Sequence, residues 1–130
     1  MVCQHHRRHV WLIVLAWLPC TGAHGAEDAR AIMTDSRKGN CIICHYIPIE
    51  GVPGNAFGDI GPSLAGVGSR LSPAGIEARI VDPRLSSPQT LMPAYGSTAG
   101  LYRVQSVYRD KPILTTEEIS AVVAYLSKLK

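Results

Sequence analysis

Cys41, Ile42, Ile43, Cys44 and His45 place two thiols and an imidazole within five residues of one chain. This C-x-x-C-H spacing is the attachment pattern of c-type haem. Each thiol can add to a vinyl group of the porphyrin, while the adjacent imidazole turns under the iron, so one short segment makes three bonds. Two other chemistries use similar residues. A thioredoxin-type redox pair needs a βαβ setting, and no strand-type alternation is found anywhere in the chain. A structural zinc site needs four protein ligands. The sequence leaves too few, once its leader is set aside.

Met1 to His9 is polar and carries Arg7 and Arg8, Val10 to Leu18 is unbroken apolar, and small residues follow at Thr21, Gly22, Ala23, Gly25 and Ala26. A basic stretch, an apolar run and a small-residue zone together read as an export signal over residues 1–25, with cleavage near residues 23–26. The apolar run is about half the roughly 20 residues that cross a bilayer, and Pro19 interrupts it. Pro19 before Cys20 does not fit a lipoprotein signal, and the twin arginines lack their usual surroundings. The expected address is an oxidising compartment, the periplasm of a bacterium, with no membrane span once the signal is gone. Residues 26–130 then form one small domain.

Removal of the leader also takes Cys3, Cys20, His5, His6, His9 and, for cleavage beyond it, His24. Cys41, Cys44 and His45 are the cysteines and histidine that remain, so the domain has no thiols for a disulfide framework. Of 13 basic residues 11 stay, against all 10 acidic ones, and the net charge falls to about +1. The two propionates of a bound haem would bring it near neutrality. That balance gives no reason to expect nucleic acid or an anionic membrane as partner.

With no second histidine, the sixth position on iron falls to methionine, or stays open or water-bound. Met33 lies close in sequence to His45 on an expected helix and reads as core filler. Met92, followed by Pro93 in a Pro-rich loop, is the candidate ligand. A thioether opposite an imidazole favours ferrous iron and raises the reduction potential, which suits electron transfer.

The elements that must position these residues are helical. Asp28 to Lys38 is expected to form a helix, with Ile32 and Met33 on its apolar face, basic Arg37 and Lys38 in its last turn and Gly39 as its stop. From Tyr46 to Leu64 the density of Pro and Gly leaves room only for irregular chain. Ser72 as N-cap and Pro73 at the first helical position open a second helix that Asp82-Pro83 closes. Ser86 to Gly100 is loop, extending through a poorly patterned stretch to Pro112. Thr115 and Glu118 form a capping box, and Ile119, Val122, Val123 and Leu126 recur at i, i+3, i+4 and i+7, which defines a terminal amphipathic helix. The fold class is all-α, with short helices and long loops. So much loop in so short a chain needs a large apolar body to pack on, and a buried macrocycle supplies one. Without haem the chain is expected to be largely unfolded.

From about Lys38 to Lys130 the sequence resembles the SoxX family, the small class I cytochrome c-like subunits of SoxAX complexes. The runs that carry the resemblance are GNCIICH at 39–45, IGPSLAGVGSR at 60–70, IVDPR at 80–84, TLMPAYG at 90–96 and KPILTTEEISAVVAYLSKLK at 111–130. C-x-x-C-H and G-P-x-L alone would indicate only a class I cytochrome c, and the later runs in their order are more specific. The resemblance implies one covalent haem c on Cys41 and Cys44, axial ligation by His45 and Met92, and a loop at Gly61-Pro62-Ser63-Leu64 whose Pro62 carbonyl orients His45. The alternative for Pro62 is an ordinary turn proline. The resemblance also implies a periplasmic heterodimer with a SoxA-like cytochrome, L-cysteine S-thiosulfotransferase activity of that complex, thiosulfate coupled to a cysteine of the carrier SoxYZ, and a downstream cytochrome c as electron acceptor. By itself the chain is expected to be non-catalytic. Two segments depart from the family pattern: Tyr46 to Gly58 finds no match, and Arg109-Asp110 stands where a small residue is expected. A free-standing soluble electron carrier is the alternative reading. A peroxide-reducing haem is disfavoured, because no distal histidine exists to assist O–O cleavage.

Overall fold

The computed structural model describes residues 24–130. The leader assigned to residues 1–25 therefore lies almost wholly outside the described residues. Those residues hold four α-helices and several single 3₁₀ turns, with no strand among them: α1 at His24–Thr34, α2 at Val67–Arg70, α3 at Pro73–Val81 and α4 at Thr116–Leu126.

In α1, Ala29, Ile32 and Met33 share one face and are buried. The helix stops four residues before Lys38, where the sequence expectation had placed its end. Thr34 donates its hydroxyl back to the Arg30 carbonyl at 2.9 Å, and the Asp35 carboxylate accepts from the Arg37 amide at 2.8 Å. Short polar side chains at this point compete with the helical ladder for backbone partners and turn the chain out of it. Arg37 and Lys38 consequently lie in the following turn. Lys38 pairs with Glu118 of α4, and the Gly39 amide closes the turn on Ile32 O at 3.1 Å.

α3 follows its local signals. Ser72 Oγ accepts from Gly75 N at 3.1 Å, Pro73 opens the helix, and Ile76 and Ile80 point into the core. Asp82 leaves the helical region at φ −153° and caps the next turn through Arg84 N. In α4 both capping-box bonds are made, Glu118 N to Thr115 Oγ1 at 3.2 Å and Thr115 N to Glu118 Oε2 at 2.9 Å. Ile119, Val122, Val123 and Leu126 form its buried face.

α4 is the centre of the packing, with α1 and α3 both lying against it. Leu114, just before α4, and Ile47 and Ile49, from the Pro/Gly-rich stretch, complete the core. That irregular stretch is tied down by an edge-to-face contact between Tyr46 and Phe57, with ring centres 5.2 Å apart. α2 is a single turn that periodicity could not reveal. It is fixed at the far end of α4, where Gly68 N donates to Leu129 O at 2.9 Å.

Candidate functional site

Cys41, Cys44 and His45 sit on one tight turn. Asn40 adopts a left-handed conformation (φ 43°) that reverses the chain out of the post-α1 turn. A 3₁₀ turn follows over Cys41–Ile43, in which Cys41 O accepts from both Cys44 N (3.2 Å) and His45 N (3.0 Å). Both cysteines are unpaired and half-buried. Burial pushes the Cys41 thiol up to about 11. Among the described residues no three Cys, His, Asp or Glu side chains gather as a metal-ion site.

His45 is held by the loop at residues 58–64. Its Nδ1 lies 2.7 Å from the Pro62 carbonyl. A carbonyl can only accept, so Nδ1 carries the proton and Nε2 is left with a lone pair that could serve a metal. Three backbone bonds lace the loop to the haem motif: Gly58 N to Ile42 O at 2.8 Å, Gly61 N to Cys44 O at 2.7 Å and Leu64 N to Tyr46 O at 2.9 Å. The approach is so close that side chains are excluded. A Cβ on Gly61 would lie 2.3 Å from His45 Cε1, and one on Gly58 would lie 1.9 Å from Ile43 O. Arg70 of α2 braces the loop from behind, donating to Ser63 O at 2.8 Å and Ala65 O at 2.6 Å.

Met92 is half-buried in the loop after α3 and packs against the core, whereas Met33 is fully buried on α1. The Met92 loop is fastened to the end of α3 by Tyr95 N to Ile80 O and Gly96 N to Val81 O, both 3.1 Å. An ion pair secures the flank. Arg84 grips the nearly buried Asp82 carboxylate through Nε and a terminal nitrogen at 2.7 and 2.6 Å, and donates to Ala99 O at 2.8 Å. Arg84 holds the Asp82 carboxyl below its ordinary range. The Tyr95 hydroxyl reaches the Gly39 carbonyl at 2.8 Å, and burial pushes its own titration up to about 12. The structure thus gathers Cys41, Cys44, His45 and Pro62 at one locus and ties the loop of Met92 to it through Tyr95. Sequence reading missed Tyr95, Arg70 and the Asp82–Arg84 pair as positioning groups, although each lies in a run (MPAYG, GVGSR, IVDPR) that it quoted.

The donor set fits a covalently held haem: two unbridged thiols on one turn, an imidazole oriented through Nδ1, and exposed apolar side chains at Ile43, Ile60 and Leu91 beside them in sequence. Residues 26–130 match the cytochrome c family. The chain belongs to that family. Cytochromes c carry haem c through thioether bonds, and the domain is accordingly an electron-transfer domain, in which the haem supplies one-electron exchange. Among solved structures, this cytochrome is similar to a chain of SoxXA from P. pantotrophus, at 32% identity with a TM-score of 0.68 and with 81% of each chain covered. It is a SoxX-like cytochrome, and the all-α class I fold expected from the sequence is the one observed. Two curated relatives also match. Over 91 residues (70% of this chain) it is 36% identical to an uncharacterized lipoprotein of Aquifex aeolicus, and over 68 residues (52% of this chain) it is 38% identical to cytochrome c-550 of Bacillus subtilis. The matched parts span 37% and 51% of those relatives. No described helix is long and apolar enough to cross a membrane.

Proposed function

We propose that this cytochrome is the small, electron-accepting subunit of a SoxAX-type thiosulfate-oxidising complex, exported to the periplasm and paired there with a SoxA-like cytochrome. The observation that carries this reading is the likeness to a SoxXA chain, which extends over 81% of both chains in sequence and fold together. In this reading Cys41 and Cys44 hold the haem, His45 and Met92 bind its iron, and the Pro62 carbonyl fixes the His45 ring. The export signal at residues 1–25 supplies the route to the periplasm.

The division of labour follows from chemistry. Joining thiosulfate to a carrier thiol forms one sulfur–sulfur bond and releases one proton and two electrons. That step calls for a thiolate or persulfide to activate sulfur. Cys41 and Cys44 are consumed as thioethers, and His45 is consumed as an iron ligand. The chain therefore receives electrons, one at a time, while the partner handles sulfur and the SoxYZ carrier holds the product. A downstream cytochrome c takes the electrons on.

The test mixes the purified holoprotein with thiosulfate, a carrier bearing a free cysteine and an electron acceptor, with and without the SoxA-like subunit. Turnover is expected only with the partner. Turnover by the single chain at a rate that the partner does not raise overturns the assignment. Affinity purification from native cells separates this reading from a free-standing carrier, which would come down without a stable haem-bearing companion.

A further inference from the structure

The bonds from Tyr95 N and Gly96 N fasten the Met92 loop to α3, and the Asp82–Arg84–Ala99 link does the same at its flank. None of them fixes how far that loop stands from the turn that carries Cys41, Cys44 and His45. Tyr95 does so with its side chain. Its hydroxyl donates to Gly39 O at 2.8 Å, across 56 positions of sequence. Gly39 lies two residues before Cys41, and Tyr95 lies three residues after Met92. Among the described residues this is the single hydrogen bond joining residues 39–45 to residues 86–100. Gly39 is buried, and its carbonyl finds no other donor there. A buried carbonyl deprived of its partner is costly, so the tie resists stretching.

We propose that Tyr95 is a positioning residue for the sixth iron ligand: its bond to Gly39 O sets the gap between the Met92 loop and the His45 turn and so keeps the thioether on the iron. The proposal rests on the reading of Met92 as that ligand. Tyr95→Phe keeps the ring and its packing while deleting the donor. Thioether–iron bonds are weak enough to be displaced by added imidazole, and a looser loop yields more readily.

The experiment titrates imidazole into the ferric holoprotein and follows the loss of the methionine–iron charge-transfer band. Tyr95→Phe is expected to retain haem and to show the band at the outset. It should then bind imidazole about five- to tenfold more tightly, the ratio given by one lost hydrogen bond of about 1–1.4 kcal/mol. Tyr125→Phe is the matched control, because the Tyr125 hydroxyl also donates to a distant carbonyl, Pro48 O at 3.3 Å, on a segment without Met92. Its imidazole affinity should stay at the wild-type value. Unchanged affinity in Tyr95→Phe, an equal gain in both variants, or a Tyr95→Phe chain without attached haem would each overturn the positioning role. Met92→Ala distinguishes a different failure. Survival of the charge-transfer band in that variant would show that Met92 is not the ligand, whatever Tyr95 does.

Discussion

The imidazole of His45 is confined from two sides by neighbouring residues of one loop. The Pro62 carbonyl accepts a hydrogen bond from its Nδ1 at 2.7 Å, and Gly61 lies against the ring with no space for even a methyl group. In Gly61→Ala the new Cβ, 2.3 Å from Cε1 in the present geometry, must push the ring aside and away from the Pro62 carbonyl. The expected outcome is a severalfold fall in haem bound per chain, measured on the purified protein. Gly54→Ala, where a Cβ meets nothing within 4 Å, should load haem normally. Equal loading of the two variants would show that ring placement tolerates the shift. The candidate haem-attachment residues were legible in sequence because C-x-x-C-H is contiguous. The tightness around them was not, since Gly61 reads as one breaker among many until the ring is seen against it.

The helices that frame these residues were legible in proportion to how local their signals are. The Ser72-Pro73 start of α3 and the Thr115/Glu118 box of α4 each lie within four residues, and both form as their sequences dictate. The end of α1 was misplaced because basic residues before a glycine looked like a last turn, whereas Thr34 and Asp35 divert the backbone earlier. Tyr95 escaped notice for a related reason, its partner lying 56 residues away. Thr115→Ala should cost about 1 kcal/mol, read as a lower denaturant midpoint with an unchanged visible spectrum. An unaltered midpoint would mean that tertiary packing alone holds the start of α4. At the other end of α3, Asp82 has its folded pKa depressed, chiefly by the hydrogen bond from Arg84. Its stabilisation is therefore full above its unfolded value of about 4 and drains away as pH falls through the lower folded value. Denaturation of wild type and Asp82→Asn at neutral and acid pH should give a gap that narrows below about pH 4. A gap independent of pH would remove the charge from the explanation.

At the scale of the whole molecule the core is closed by parts of the chain that are far apart. α1 buries Ala29, Ile32 and Met33 against α4, and the Lys38–Glu118 pair seals that contact across 80 residues. α1 has little to gain from folding early, because an isolated helix of its length is marginal in water. Bringing two segments together over such a span costs loop entropy before any packing repays it. In a polypeptide that emerges from its amino end, α1 and the Cys41–His45 turn are outside long before α4 arrives to pack on α1. The topology thus builds in an interval during which both thiols are open to chemistry. Docking of α4 then completes the core on which Cys41 packs.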